Sequence, residues 1–532
     1  MTTLPLGLPA LAASLLLQVT AALAQPQSQA QPVLAGPAEV ATRSAQARIR
    51  QFDPTLQSVL ALEPGALDEA QRLDRQRSAR GPLHGLTLLV KDNIETRGPL
   101  PTTAGSLALR ANVSGHDAPV VARVRAAGAV VIGKANLSAW ANMRSTRSLS
   151  GWSAVGGQTR NPYALDRNPC GSSSGSAVAV AAGLVDAALG TETNGSITCP
   201  AAVNGVVGLK PTVGLVSRSR IVPLALSQDT AGPMALDVAT VARLLTAMAG
   251  RDAGDVATVE ADTRRQDYAA GLEAATLHGV RLGVLRFGLG WSAAVDAAFE
   301  RGLALLRERG AVLVDVTEGP DLAAMENAGM MVLLGEFRPQ MDAYLAATPP
   351  AVTTRSLADL IRFNREHAAH EMPLFAQELF EQALQAPGPE TPQYRQARAT
   401  ALRLADAEGV SHLLRQHEVE ALLLPTAPMA WKIDAINGDQ TPYGLAGGMA
   451  AIAGTPHLTV PMSQHWGLPL GMSFLGPRWG EARLLQLGAA FERARGLLPA
   501  PTLTPSIEAG AVVAPMLMPT KAPSKAPAKA LP

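Results

Sequence analysis

The chain has 532 residues, 47% of them hydrophobic and 17% charged, with a formal net charge of +1. That is enough chain for a large core and more than one structural layer, and so neutral a balance gives no electrostatic basis for nucleic acid or an anionic membrane as partner. Two cysteines, Cys170 and Cys199, cannot staple a small scaffold and say little about redox compartment.

Residues 1–24 carry an apolar segment followed by Ala22-Leu23-Ala24, a small-x-small cleavage pattern. They read as a secretory signal peptide, although the leading residues hold no Lys or Arg. The apolar run is short for a membrane span, and no later segment reads as one. The mature chain is therefore expected to be exported (periplasmic or secreted), without stable membrane association. Residues 25–38 are polar and Pro-rich, a flexible lead-in.

From about Glu39 to Arg80 the spacing is helical, with Ile49, Val59, Leu60 and Leu67 among Arg, Gln and Glu. Gly81-Pro82 breaks it, and Leu86–Val90 reads as a buried strand ending at Lys91-Asp92-Asn93. Residues 117–134 give a helix and then a strand, an α-to-β step that builds layered α/β folds. A helix is expected over Ser176–Leu184, a short strand over Ala187–Gly190, and another short helix after Ser196. Residues 238–250 and 295–309 look helical, with strands at Gly279–Leu285 and Ala311–Val316. A helical region with Pro interruptions fills about 320–420, and strand and turn signals return at 421–426 and 454–461. An amphipathic helix, Glu481–Arg495, closes the body. Beyond Pro499 the composition collapses to Pro, Ala, Thr and Lys, too poor in apolar surface to order itself, so 499–532 is expected to be a disordered tail. The body is one α/β domain, 39–498, with a helical insertion.

Candidate chemistry concentrates between Asn168 and Val216. Gly and Ser at the density of Gly171–Ser176 sacrifice helix and strand propensity, which suits backbone that must approach a ligand. Gly171-Ser172-Ser173-Ser174-Gly175 formally satisfies a G-x-S-x-G elbow centred on Ser173. That elbow needs a buried strand just before it, and the preceding residues are polar and Pro-broken. Gly195-Ser196 follows a short apolar strand instead, where backbone N–H groups can converge on an oxyanion and a serine stands exposed as a nucleophile.

A serine needs a base, and no histidine stands in a recognisable motif. His367 and His370 with Glu371 resemble half a metal site, but such pairs arise easily on solvated helix faces. Lysine is scarce. Lys91 ends an apolar strand, where burial would lower its pKa and free a neutral amine to accept a proton; a strand-end lysine reaching solvent fits the same residues.

Val90–Ile94, the Gly171–Ser176 loop and Thr193–Ile197 together resemble the amidase signature family. Their order and spacing match it, with Ser196 lying 24 positions after Ser172. The likeness extends through residues 81–85, 133–136, 208–212, 229–233, 422–428 and 454–461, about 40 to 495 in all. Within the family, 151–183 with 190–218 look most like bacterial peptide amidases, exported enzymes that hydrolyse the C-terminal carboxamide of peptides.

The resemblance implies a central mixed β-sheet covered by helices, no cofactor or metal, and a small peptide amide or other carboxamide as substrate. It implies Ser196 as nucleophile and Lys91 as ultimate base. Ser172, after a cis Gly171–Ser172 bond, would pass protons between them. The N–H groups of Thr193, Asn194, Gly195 and Ser196 would form the oxyanion hole, while Gly171, Ser173, Ser174 and Gly175 shape the site. Asn194 stands where the family has Gly and the peptide amidases carry Asp; Asn tolerates left-handed backbone angles, so the geometry should survive. Ser174 replaces a family Gly, as in the peptide-amidase branch. Cys170 and Cys199 flank the two loops and are read as buried thiols, with a disulfide open to them in an exported protein. Rival readings are an amidase for other small or aryl carboxamides, a glutaminase component of a tRNA-dependent amidotransferase, and an inactive amidase-like binding protein.

Overall fold

The computed structural model describes residues 35–76, 81–440, 446–510 and 512–518. The expected signal peptide and residues 25–34 of the lead-in lie outside the described residues. In chain order the strands are β1 Val59–Leu62, β2 Thr87–Lys91 and β3 Val130–Ala135, then a separate hairpin of β4 Trp152–Ser153 and β5 Gly157–Gln158. There follow β6 Ala187–Glu192, β7 Val207–Lys210, β8 Thr230–Ala235, β9 Arg281–Leu285, β10 Val312–Val316, β11 Ala421–Pro425, β12 His457–His465 and β13 Leu468–Leu475. All but the hairpin form one 11-stranded sheet in the order β1-β3-β2-β6-β8-β7-β12-β13-β11-β9-β10.

The sheet is mixed. β2 runs parallel to β3 and β6, and β9 parallel to β10 and β11, while the strands between them pair antiparallel. Every residue of β2, β3, β6, β7 and β8 is buried, as expected of strands covered on both faces. Alternation sorts their side chains into two cores. Leu88, Val90 and Val131 join the helices Val238–Met248, Ala293–Glu308 and Glu481–Arg495. Leu89, Val130 and Ile132 face the other way, onto the helices Pro37–Leu56 and Ser174–Ala181. The expected α/β class with a helix-covered mixed sheet is the one observed.

The stretch read as a helical insertion holds the long helix Leu322–Ala347 and shorter ones, among them Leu357–Glu366, Glu378–Gln385 and Pro392–Leu402. It packs Phe337, Met341, Leu360 and Phe380 against Trp140 and Trp152 of the body. Arg144, fully buried, sits over the Phe375 ring at 4.2 Å and donates to the Glu371 carbonyl at 2.6 Å.

Three expectations need correction. The reading of 39–80 as helical missed β1. Gln57, with φ 52°, ends the first helix, and the Asp53 carboxylate takes the N–H groups of Ser58 and Val59, turning Val59 and Leu60 into a strand beside β3. No strand was expected at 230–235, where Thr-Ala-Gly-Pro-Met-Ala is poor in β-formers. Pro233 stands opposite Leu189 in the ladder with β6, while pairing with β7 reaches only Ala235 and Met234 and stops short of it, so the β7 side asks no bond of the missing N–H. The tail expected to be disordered is structured as far as it is described, to residue 518. Leu503 N–H donates to Pro162 O (3.0 Å), Leu165 N–H to Thr504 O (2.8 Å), and Glu508 pairs with Lys432 and Arg167. Two of its apolar side chains, Leu503 and Ile507, pack against clusters that the body already owns, a contribution that composition by itself does not register. Residues 519–532 lie outside the described residues.

Candidate active site

The parallel pairing of β2 and β6 sets the site. Val90 lies opposite Leu189, so Lys91, the last residue of β2, comes level with Gly190 and its side chain reaches Thr191, one residue further along β6. Its Nζ lies 2.8 Å from Thr191 Oγ1, 3.3 Å from Thr191 O and 2.8 Å from Ser172 Oγ. Lys91 is wholly buried, and every one of those partners is neutral. Burial drives its pKa down to about 7, against an opposing pull from the Glu192 and Asp229 carboxylates. An amine with that pKa is in large part neutral at physiological pH, with two N–H donors for Thr191 and a lone pair for the Ser172 hydroxyl. The solvent-reaching alternative for this lysine does not hold.

Ser172 follows a cis peptide bond from Gly171. A Cβ on Gly171 would lie 2.1 Å from Ser138 Oγ, and one on Gly175 would strike Ser58 O and Asn136, so both positions require glycine for space. Ser173, centre of the formal elbow motif, turns away. Its hydroxyl donates to Thr191 O (3.1 Å) and accepts from Thr191 N (3.2 Å), fastening the loop to β6. Ser174 Oγ closes on Cys170 O at 2.6 Å.

The second loop leaves β6 at Glu192. That carboxylate is buried and accepts from Ile197 N (2.8 Å), Thr198 N (3.0 Å) and Thr198 Oγ1 (3.2 Å), folding Thr193–Ser196 into a tight bend. Among the described residues, the N–H groups of Thr193, Asn194, Gly195 and Ser196 have no hydrogen-bond acceptor, nor does the Ser196 hydroxyl have a partner. Gly195 carries the left-handed backbone (φ 80°), not Asn194. The exposed Asn194 side chain instead lies against Gly447, where a Cβ would come within 2.6 Å of its Oδ1 and 3.1 Å of Gly195 N. Two ties hold the loops together: Ser173 N–H to Ser196 O at 3.0 Å, and a Cys170–Cys199 disulfide. The cysteines are therefore not free thiols.

Both Ser172 and Ser196 line a water-sized cavity of about 20 Å³ with Asn93, Thr191, Thr193 and Asp229. Ser196 also opens on a cleft of about 390 Å³, whose walls include Met143, Leu224, Met330, Leu333, Leu379 and Trp431. Asp229 accepts from Thr193 Oγ1 (2.6 Å), Leu224 N (2.8 Å) and Ala225 N (3.0 Å), and burial raises its pKa to about 6. It joins the second loop to the cleft wall. Sequence reading marks residues 229–233 only as a motif, with no role for Asp229. It also gives none to Thr191 or Glu192, whose only signal is their place between the strand and Ser196. His367 and His370 are exposed and take no part in this chemistry: His367 stacks on Phe363, and among the described residues no three metal-ligating side chains cluster.

A buried amine of near-neutral pKa touching a serine, with a second serine and unclaimed N–H donors beside it, is the equipment of covalent acyl transfer. The Amidase family model matches residues 40–485, and the chain belongs to the amidase signature family. It is an amidase, a hydrolase acting on carbon–nitrogen bonds. A probable amidase of Arabidopsis thaliana is 36% identical over 459 residues, 84% of each chain. The peptide amidase of Stenotrophomonas maltophilia superposes with a TM-score of 0.83 at 47% identity, covering 88% of this chain and 95% of that one. A glutamyl-tRNA(Gln) amidotransferase subunit of Symbiobacterium thermophilum is 36% identical over 85% of this chain and 92% of its own.

Proposed function

We propose that the protein hydrolyses the C-terminal carboxamide of peptides to the free acid and ammonia, as an exported enzyme. The observation that carries the mechanism is the 2.8 Å contact between a wholly buried Lys91 and Ser172, beside Ser196 at the foot of the cleft. The likeness to a solved peptide amidase, at 47% identity over most of both chains, supports the substrate class.

In this reading Ser196 Oγ attacks the carboxamide carbon, and its proton passes to Ser172 as the Ser172 proton passes to Lys91. The tetrahedral oxyanion is held by the N–H groups of Thr193–Ser196, one such donor being worth roughly 10²–10³ in rate. Lys91 then returns its proton through Ser172 to the leaving nitrogen, so that ammonia departs and an ester to Ser196 remains. Water attacks the ester by the same relay, releasing the acid and restoring Ser196. Proton transfer by positioned groups of this kind contributes typically about 10²–10⁴-fold.

The test is ammonia release from amidated peptides, with glutamine and an aryl amide alongside. Turnover of peptide amides, falling at least about 10⁴-fold in Ser196→Ala, is the expected result. Turnover of the aryl amide alone would favour the second reading, for which the Met- and Leu-lined cleft also has room. No ammonia from any amide would sink the proposal.

A further inference from the structure

The substrate cleft is lined by two carboxylates, Glu326 and Asp439, and by no Lys, Arg or His among the described residues. Glu326 is exposed at the rim, but Asp439 is built into the wall. Its Oδ1 accepts from Asn168 Nδ2 (2.9 Å), Trp431 Nε1 (3.1 Å) and Ser150 N (3.2 Å), while Oδ2, among the described residues, meets only Ser150 N, at 3.1 Å. All of these donors are neutral. No cationic side chain among the described residues lies within ion-pair distance of it, and the adjacent residues 441–446 include no basic one. Burial raises the pKa of Asp439 from its ordinary value, the mark of a carboxylate that lacks a counter-charge.

Such a group costs stability unless something compensates it. Four hydrogen-bond contacts from three neighbours fix the carboxylate's position without neutralising it, and one oxygen keeps most of its lone-pair capacity. Trp431 stands beside it on the same wall, its N–H turned to Asp439 and its ring part of the cleft lining. A carboxylate next to an indole is a pair of surfaces that attract an ammonium, one by charge and one by the ring quadrupole. Asp439 also sits close to the chemistry, since Ser150, which donates to it, would be touched by a Cβ on Gly171.

The geometry points to Asp439, with Trp431, as a subsite for an ammonium group of the substrate. This rests on the proposed peptide-amide reading and deepens it: the preferred substrates are short peptide amides that carry a positive charge near the amide. The charge has two possible sources, the free α-ammonium of the peptide or a basic side chain.

Four dipeptide amides distinguish them: one with a free amino terminus, its N-acetyl form, and two N-acetyl forms with lysine or norleucine at the first position. Wild type should show kcat/KM about tenfold higher for at least one charged member than for its neutral twin, and the favoured pair tells which ammonium is read. In Asp439→Asn that ratio should fall to about 1, whatever happens to the absolute rates. A loss of equal proportion in both members of the pair, with the ratio kept, would mean that Asp439 only holds the Ser150, Asn168 and Trp431 loops together. An equal kcat/KM within both pairs in wild type would overturn the subsite.

Should Asp439→Asn fail to fold, wild-type inhibition decides. Butylammonium should compete with a neutral substrate about tenfold more strongly than butanol, and equal inhibition would overturn the proposal. Because the inhibitor pair can be used against any carboxamide the enzyme turns over, it tests the subsite even if peptides prove not to be the substrates.

Discussion

Two buried lysines lie at the C-terminal ends of neighbouring parallel strands of the same sheet, and they differ in what they touch. Lys91 on β2 and Lys134 on β3 are both shut away from solvent, and Val90 pairs directly with Lys134. Lys134 has an anion: Asp92 at 3.3 Å, with Ile94 O at 2.6 Å and Thr102 Oγ1 at 2.9 Å. Lys91 has only hydroxyls and a carbonyl. Burial pushes both amines down; Asp92, in contact, pulls Lys134 back toward its charged form, whereas the carboxylates that oppose the shift at Lys91, Glu192 and Asp229, make no ion pair with it and it settles near 7. Desolvation is common to the two, so the partner decides. One lysine is held by an ion pair, and the other has the surroundings that the proposed role of base requires.

The sharpest way to break this comparison is to make the same substitution at both. Lys91→Met should lower kcat by about 10³-fold, with no loss of stability, because it replaces an amine that is costly to bury by an apolar chain of similar length. A variant with near-wild-type kcat would show that another group takes the serine proton. In wild type the amine must be neutral to act, so kcat/KM should rise with pH and level off above about 7, the Lys91 value, and fall about tenfold per unit below it. A limb far from 7 that survives Lys91→Met would assign it elsewhere.

Lys134→Met should do the opposite. It leaves Asp92 buried without its cation, and breaking such a pair costs about 3–5 kcal/mol, readable as a lower urea midpoint with unchanged slope. The folded fraction should keep the acid limb of wild type. A Lys134→Met protein of undiminished stability would mean that the ion pair contributes nothing and that the two lysines differ less than their surroundings suggest.

How much of this was legible in the sequence follows from how local each cause is. Lys91 could be singled out because a lone lysine closing Leu-Thr-Leu-Leu-Val is a local anomaly, yet its burial depends on β6, about 100 residues later. The two serine loops stood out by composition, but choosing Ser172 over Ser173 needed the family resemblance. What separates them is which hydroxyl faces Lys91 and which faces Thr191, and nothing local encodes that. Asp439 was unreadable for the same reason, its donors lying at Ser150, Asn168 and Trp431. β8 is hard to read in the sequence because Thr-Ala-Gly-Pro-Met-Ala is poor in β-formers, and its place between β6 and β7, buried throughout, comes from distant residues. The order of the tail from Pro499 is likewise not local, since Leu503 and Ile507 pack against cores begun elsewhere.

The smallest expected effect sharpens the comparison from the other side, by giving Lys91 some of what Lys134 has. Asn194→Asp places a carboxylate on the loop that ends in Ser196. The side chain is exposed, so the new charge acts mostly through water, where an interaction over about 10 Å is worth roughly 0.4 kcal/mol, about 0.3 of a pH unit. A negative charge stabilises the ammonium form, so the acid limb should move up by about that amount. The same charge beside the unclaimed N–H groups of Thr193–Ser196 opposes the developing oxyanion, which should lower the plateau kcat a few-fold. Asn194→Gly, which adds no charge, should leave the limb where it is. Both shifts should shrink in high salt, since exposed charges are screened over about 10 Å at 0.1 M. A limb that moves equally in the Asp and Gly variants would trace to a loop rearrangement against Gly447, and the Lys91 pKa would then be set by packing more than by the charges around it.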